Sequence, residues 1–285
     1  MSVIFDATPC KLGEGPLWHP ERGQLFWFDI ISKRLLTRHD DETHHWQFPE
    51  HVSAAGWIDR DALLIASESA LFRFDLATGA RHDLVALEAD RPANRSNDGR
   101  ADPRGGFWIG TMGKDAAPGA GSIYRYYRGE LRRLVTDITI TNAISFAPDA
   151  SHACFADTIA GRVFRVALDN EGWPKGEPET FLDLSAEGLN PDGAVIDAVG
   201  NLWLAQWGAA RVACYAPDGS LLRAVAFDAP HTSCPAFGGA DLTTLFCTSA
   251  RQGLNAAALA QYPNSGMIFA APGIAQGQAE HRVIL

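Results

Sequence analysis

The chain has 285 residues, 46% hydrophobic and 20% charged, which is typical of a globular protein with a sizeable core. A formal net charge of −10 argues against nucleic acid or an anionic membrane as a partner, and no apolar run reaches the roughly 18 residues of a membrane helix. The five cysteines include no CxxC pair and the start of the chain has no signal-peptide pattern, so we expect a cytoplasmic protein.

Along the chain, a first predicted strand, SVIFDAT (2–8), is followed by six segments with one shared pattern. Each begins with a small or polar residue and continues as a short apolar strand, a turn and a second apolar strand. The six first residues are Glu14, Ser53, Asn97, Asn142, Asp192 and Ser233. The second strands begin near 25, 62, 107, 153, 202 and 245, and this interval of about 40 to 50 residues is typical of β-propeller blades.

After each segment comes a hairpin in which apolar residues alternate, as in ALFRFDLATGARHDLV and GSIYRYYRGELRRLV. The sequence therefore predicts an all-β, six-bladed β-propeller with four antiparallel strands per blade, as a single domain over residues 1–285. Helices are expected to be scarce. We expect SVIFDAT to complete the last blade beside GMIFAA, because an open sheet edge invites aggregation.

The first strand of each propeller blade lines the central channel, so the six starting residues are expected to converge at one mouth. Residues that end or follow the second strands are expected to face the same mouth, together with the loop GTMGKDAAPGAG (110–121). They include Asp29, Glu68, Asp157, Gln206, Trp207 and Arg251. The tripeptide Pro-Asp-Gly occurs twice. The pattern places Asp192 at the mouth and Asp218 in an outer hairpin turn.

Three of the converging residues, Glu14, Asn142 and Asp192, offer two carboxylates and one amide oxygen. Crowded carboxylates repel one another unless a cation offsets their charge. Oxygen ligands favour one divalent cation, with Ca²⁺ the first choice and Mg²⁺, Mn²⁺, Fe²⁺ or Zn²⁺ as alternatives. The alternative interpretation is that these residues only cap strand ends, because Asp and Asn are common in turns.

Four motifs carry a resemblance to a known family: GEGPLWHP (13–20), RSNDGRADPRGGFWIGTM (95–112), TNAISFAPD (141–149) and NPDGAVIDAVGNLW (190–203). In the order and spacing of these four motifs, the chain resembles the regucalcin/gluconolactonase family of metal-dependent sugar lactonases along nearly its whole length. The resemblance implies a six-bladed propeller with one divalent cation held by Glu14, Asn142 and Asp192.

The resemblance also implies that Arg95 and Asn97 contact the sugar, and it points less directly to Asp115. The chain departs from the family's common TNG form, because Ala143 follows Asn142. Asp98 has two interpretations: it supports the site from behind, or it makes a turn with Gly99.

Together these features predict metal-dependent hydrolysis of an aldonolactone to the aldonic acid by a monomer. The cation would act as Lewis acid and Asp192 as general base. One alternative is hydrolysis of another ester or a phosphotriester on the same fold; the other is a non-catalytic propeller that binds calcium. The sequence has no G-x-S-x-G nucleophile elbow.

Overall fold

The computed structural model describes residues 2–285, which form six four-stranded antiparallel sheets. Strand β1 (Val3–Asp6) precedes blade 1. Blade 1 consists of β2 (Gly13–His19), β3 (Gln24–Asp29), β4 (Arg34–His39) and β5 (Glu42–Gln47). Blade 2 consists of β6 (Val52–Asp59), β7 (Ala62–Ser67), β8 (Ala70–Asp75) and β9 (Arg81–Ala86). Blade 3 consists of β10 (Asn94–Ala101), β11 (Phe107–Gly113), β12 (Gly121–Tyr127) and β13 (Glu130–Ile138).

The other three blades repeat this order. Blade 4 consists of β14 (Thr141–Phe146), β15 (His152–Asp157), β16 (Arg162–Ala167) and β17 (Glu179–Asp183). Blade 5 consists of β18 (Asn190–Ile196), β19 (Leu202–Trp207), β20 (Arg211–Tyr215) and β21 (Leu221–Ala226). Blade 6 consists of β22 (Thr232–Gly238), β23 (Thr244–Ser249), β24 (Ile268–Ala271) and β1. The predicted six-bladed, all-β fold is confirmed. Helical structure among the described residues is limited to α1 (Ala256–Gln261) and a 3₁₀ turn at Ser185–Glu187.

The N-terminal strand closes the ring, as the sequence predicts. Strand β1 pairs with β24 in antiparallel register, Val3 opposite Ala270 and Ile4 opposite Phe269. Phe5 then packs edge-on against Phe246, with ring centroids 5.0 Å apart. The last sheet therefore has the order β1-β24-β23-β22, and its outer strand comes from the other end of the chain.

The second strand of each blade is buried on both faces, which explains its nearly continuous apolar sequence. Trp27, Trp108 and Trp203 occupy these strands in blades 1, 3 and 5, and all three are fully buried. They pack between neighbouring blades, where apolar burial contributes most of the stability of such a fold. Within residues 2–285, no helix has the length and apolarity needed to span a bilayer.

All six innermost strands contain a register irregularity near the end that carries the candidate residues. It lies between Glu14 and Leu17 in β2, between Asn142 and Ser145 in β14, and between Pro191 and Ala194 in β18, with equivalents in β6, β10 and β22. Such bulges change the direction of side chains and are common beside functional sites.

Two of the bulges include a residue with left-handed backbone. Gly15 has φ 51° and Ala143 has φ 57°. Ala143 is fully buried and occupies a conformation that glycine adopts at lower cost. The Ala that replaces the family's glycine therefore keeps the glycine-like backbone beside Asn142.

The end of the channel that the inner strands reach last, which we call the lower mouth, is covered by residues 272–285, here named the plug segment. Its backbone forms hydrogen bonds with turns of three blades and with a strand of a fourth: Ile274 N–H donates to Thr243 O, Ala198 N–H to Gln276 O, Ile284 N–H to Gly105 O and Val283 N–H to Trp57 O of β6. The sequence pattern gives no sign of this segment's role. Only the opposite end, the upper mouth, carries the candidate residues.

Candidate functional site

A cavity of about 350 Å³ opens at the upper mouth. Polar and apolar side chains both line it. The polar ones are Glu14, Arg95, Asn97, Asn142, Thr158, Asn190, Asp192 and Gln252, and the apolar ones are Leu12, Met112, Ile140, Ile159 and Trp207. Five of the six candidate residues, drawn from blades 1, 3, 4 and 5, therefore share one cavity.

The sixth candidate, Asp115, is exposed on the loop after β11 and lies outside the described lining. Its carboxylate accepts a hydrogen bond from Ala117 N–H at 3.2 Å. A substrate contact of Asp115 stays a prediction.

The expected residues at the ends of the second strands mostly serve their own blades. Asp29 accepts hydrogen bonds from Lys11 N–H and Leu12 N–H, and Asp157 accepts from Thr139 N–H. Gln206 is buried, where it donates to the Tyr215 hydroxyl and accepts from Arg211. The next residue, Trp207, does line the cavity, because adjacent strand residues point to opposite faces.

Hydrogen bonds connect the polar residues of blades 3 and 4. Arg95 Nη1 donates to Asn97 Oδ1 at 2.7 Å, and Asn97 Nδ2 donates to Thr141 O at 2.8 Å and to Asn142 Oδ1 at 3.1 Å. The Asn142 amide nitrogen donates to Thr158 Oγ1 at 2.7 Å. Asn142 Oδ1 therefore accepts one bond from Asn97 and retains a lone pair for a ligand.

The carboxyl groups of the cavity resist ionisation. Burial, followed by the charge of Asp98, raises the pKa of Glu14 to about 8. Burial and the charge of Glu14 raise the pKa of Asp192 well above its usual value. Desolvation and like charge both penalise the carboxylate form, so the two anions are poorly compensated by the protein alone.

Asp98 lies behind the cavity rather than in its lining. Its Oδ2 accepts a hydrogen bond at 2.7 Å from Ile144 N–H of the next blade, and burial raises its pKa to about 6. This contact favours the interpretation that Asp98 supports the site.

Arg95 provides partial compensation for the carboxylates. Burial lowers its pKa to about 10, while the charges of Glu14 and Asp192 act in the opposite direction. Burying the Arg95 guanidinium is itself costly, and its single positive charge faces two carboxylates. Arg95 therefore does not fully offset the charges of Glu14 and Asp192.

The donor set fits a hard divalent cation. Glu14 and Asp192 supply two buried, weakly compensated carboxylates, and Asn142 supplies an oriented amide oxygen in the same cavity. Over residues 2–285, no group of three or more His, Cys, Asp or Glu side chains is arranged to hold a metal. The present set has only two carboxylates, and its third donor is the amide of Asn142, so it does not form a cluster of that composition. Carboxylate and amide oxygens are donors that Ca²⁺ prefers.

Three polar residues of the cavity lining were not predicted from the sequence, namely Thr158, Asn190 and Gln252, and neither was His231, which packs against Trp207. The His231 ring stacks on Trp207 with centroids 4.2 Å apart and planes at 17°, and its Nδ1 lies 2.9 Å from Gln252 O. Thr158 and Gln252 directly follow Asp157 and Arg251, which the sequence places at the mouth. Asn190 and His231 lie two residues before the expected starting residues Asp192 and Ser233. Extending the predicted segments by one residue at their ends and by two at their starts would have found all four.

Comparison with known proteins gives a consistent result. Residues 12–251 match the family model described as SMP-30/Gluconolactonase/LRE-like region. The chain is 35% identical to an L-arabinolactonase of Azospirillum brasilense over 99% of this chain and 95% of the relative. It is 32% identical to a 6-deoxy-6-sulfogluconolactonase of Pseudomonas putida over 95% and 94%.

Among solved structures, the chain resembles a protein of Agrobacterium tumefaciens described as a calcium-binding protein, regucalcin. The TM-score is 0.97 at 40% identity, covering 99% of this chain and 97% of the other. The resemblance therefore includes both blade arrangement and chain length.

Proposed function

Because the chain belongs to the SMP-30/gluconolactonase/LRE-like family, we propose that residues 1–285 form one catalytic domain that hydrolyses a sugar lactone to the aldonic acid. The observation that carries this proposal is the meeting of two buried carboxylates, Glu14 and Asp192, with Arg95, Asn97 and Asn142 in one open cavity. A site of this composition offers oxygen ligands for a cation beside donors for sugar hydroxyls.

In this proposal Glu14, Asn142 and Asp192 hold one divalent cation. Ca²⁺ is the first choice because all three donors are oxygens and a similar structure is described as calcium-binding; Mg²⁺, Mn²⁺, Fe²⁺ and Zn²⁺ are the alternatives. When bound, the cation would polarise the lactone carbonyl and lower the pKa of a bound water.

Asp192 acts as the general base. Its carboxylate accepts a proton from the attacking water as the water oxygen adds to the carbonyl carbon, and the proton goes to the ring oxygen when the ester C–O bond breaks. Burial raises the pKa of Asp192 in the cation-free chain. A bound cation would act in the opposite direction and favour the carboxylate form that accepts the proton. This role requires the Asp192 carboxylate to lie within hydrogen-bond distance of the attacking water.

Arg95 and Asn97 bind hydroxyl groups and orient the ring. Both have polar atoms in the cavity, and each is already held by a bond to the other. Trp207, backed by His231, offers a flat apolar surface to the carbon face of the sugar. We retain Asp115 as a proposed contact from the exposed loop, acting on KM.

We further propose a cytoplasmic monomer whose only partner is the small-molecule lactone. The ring closes through its own N-terminal strand and needs no second chain for that purpose. The five cysteines are free and buried, which suits a reducing compartment.

One observation favours a second candidate, hydrolysis of a less polar lactone or another ester. Five apolar side chains line the cavity, among them Ile159, which is 64% exposed at the rim. Asp115 and Gln206, two polar groups expected at the mouth, lie outside that lining. A substrate with an apolar substituent would use this surface.

Hydrolysis of a panel of sugar lactones, simple apolar lactones and a phosphotriester, followed by acid release, tests these alternatives. Each is measured before chelation, after removal of divalent cations, and after adding back each candidate cation. Cation-dependent hydrolysis of sugar lactones supports the proposal. Faster hydrolysis of the apolar lactones favours the second candidate, and calcium binding without hydrolysis of any substrate indicates a non-catalytic propeller.

A further inference from the structure

The plug segment contacts the same two inner strands that carry Asn142 and Asp192. We propose that its residues Gln278 and Glu280 position those two candidate ligands from the lower mouth of the channel. The proposal rests on the proposed function, since it concerns the same cation site. It makes Gln278 and Glu280 positioning residues, because neither lines the cavity.

Strands β14 and β18 are first held two residues beyond the candidate ligands. Asp98 Oδ2 accepts a bond from Ile144 N–H at 2.7 Å, and Arg100 Nη2 donates to Ala194 O at 3.4 Å. Both side chains come from β10 of blade 3. One strand thus holds the backbone behind Asn142 and behind Asp192.

The plug segment repeats this arrangement two residues further down. Gln278 Nε2 donates to Phe146 O at 3.1 Å and to Ile196 O at 2.9 Å. These carbonyls belong to blades 4 and 5 and lie four residues beyond Asn142 and Asp192 respectively. A single amide group therefore bridges the two inner strands at their lower ends.

Glu280 acts on the same network through Arg100. Their side chains form an ion pair between Arg100 Nη1 and Glu280 Oε1, and only 10% and 7% of the two side chains is exposed. The Glu280 backbone oxygen accepts a bond from Trp57 Nε1 at 2.8 Å, which places the segment against blade 2. Without Glu280 the buried Arg100 charge loses its partner, and such charges are costly.

The bulges couple the lower ends of the strands to the site. In β14 the register shifts between Asn142 and Ser145, and in β18 between Pro191 and Ala194. The direction of each candidate ligand depends on a short irregular segment whose lower anchor is the contact just described. Cation sites need ligands held within roughly 0.5 Å, so a change in the separation of blades 4 and 5 weakens binding.

The chain offers a matched control for Gln278. Gln276, two residues earlier in the plug segment, also donates through Nε2 to a backbone oxygen, but that oxygen is Asp241 O of blade 6 at 2.9 Å. Replacing either Gln by Met keeps the side-chain length and removes the donor. If the plug segment only stabilised the fold, the two substitutions would have similar effects on Ca²⁺ affinity.

The experiment measures Ca²⁺ affinity of the full chain by calorimetry after chelation, with thermal unfolding and lactone kinetics for each variant. We expect Gln278→Met to weaken Ca²⁺ binding about tenfold, as loss of an outer support does in other metal sites, and to lower kcat. Gln276→Met should retain wild-type affinity. Glu280→Gln should also weaken Ca²⁺ binding, and Glu280→Asp should restore part of it.

Equal Ca²⁺ affinity in wild type, Gln278→Met and Glu280→Gln would overturn the proposal, as would an equal loss in Gln276→Met. If Gln278→Met does not fold, Glu280→Gln against Gln276→Met decides. A wild-type chain that hydrolyses lactones and binds Ca²⁺ while the variants do not differ contradicts this proposal alone. A wild-type chain that does neither contradicts the proposed function itself.

Discussion

The two Pro-Asp-Gly tripeptides of blade 5 have the same sequence and opposite environments. Asp192 lies at the upper mouth with 5% of its surface exposed, whereas Asp218 lies in the exposed turn between β20 and β21. Asp218 accepts bonds from the Ser220 hydroxyl and Ser220 N–H, which lower its pKa. Burial and the charge of Glu14 raise the pKa of Asp192.

The two glycines differ as well. Gly219 has φ 86°, so it is required for its backbone conformation. Gly193 is required for space, because a Cβ there would lie 2.3 Å from Cys234 Sγ. The comparison shows that the neighbouring blades decide whether this tripeptide forms a turn or part of a site.

The largest expected difference is in catalysis. Asp192→Asn should lower turnover about 10² to 10⁴-fold, the usual contribution of a general base, because it keeps an oxygen but loses the basic group. Asp218→Asn should leave kcat unchanged. Steady-state kinetics on a sugar lactone, with bound metal quantified for both variants, checks this. If Asp192→Asn retains metal and normal turnover, the base must be sought elsewhere, first at Asp98.

The second difference concerns pH. The pKa of Glu14 is raised to about 8 in the folded, cation-free chain from an ordinary value near 4.5. The folded state therefore binds more protons between these values, and stability is lost as pH rises through them, by a few kcal/mol. We expect chelated wild type to lose melting temperature relative to Glu14→Gln between pH 5 and 8.5.

In the same experiment, Ca²⁺ should raise the wild-type melting temperature more at pH 8.5 than at pH 5, because cation binding needs the carboxylate. The two proteins differ only at residue 14, so the comparison between wild type and Glu14→Gln reports on Glu14 together with its effect on the pKa of Asp192. Parallel melting curves across this pH range would contradict the assignment of a buried, uncompensated carboxyl group to Glu14.

A third, smaller difference separates two arginines: Arg95, which lines the cavity, and Arg165, which is partly exposed on blade 4. Arg95→Ala should reduce kcat/KM by about 10 to 100-fold, mainly through KM, because it removes charged hydrogen bonds to the substrate. Arg165 donates to Pro217 O of the outer tripeptide and pairs with the exposed Glu179. Arg165→Ala should therefore leave kcat and KM unchanged. A rise in KM for this variant would contradict the assignment of substrate binding to Arg95 and not to Arg165.

The smallest expected difference lies in the glycines. Gly219→Ala should cost about 1 kcal/mol, since alanine then adopts positive φ. Gly193→Ala should cost about 1 to 3 kcal/mol, because its methyl group overpacks the contact with Cys234. Urea unfolding of the two variants measures the order of these costs. A larger loss in Gly219→Ala would show that blade 6 moves aside easily.

The blades and most of the candidate site could be predicted because both depend on local patterns. Period-two alternation identifies strands, the blade interval fixes their equivalence, and equivalence brings Glu14, Asn97, Asn142 and Asp192 to one mouth. Ser53 and Ser233, also equivalent, are buried and bond to Ser96 and Gly13 instead, because equivalence places a residue without giving its side-chain direction.

The remaining features depend on contacts that no local pattern records. Residues 272–285 form scattered hydrogen bonds to turns and strand ends of several blades, so their sequence shows no regular alternation. The exposed position of Asp115 follows from the conformation of a Gly-rich loop. Gln206 and Trp207 could have been separated by strand parity alone, since neighbouring residues face opposite sides of a strand.

The pairing of β1 with β24 has a consequence for synthesis in the cell. About 260 residues separate the two strands. At the usual 5 to 20 residues per second, the ribosome needs roughly 15 to 50 s to make them. During that interval the nascent chain carries β1 without its partner, and five blades fold before the sixth can be completed. The unpaired edge of the last blade therefore stays open to pairing with other chains until the ring closes.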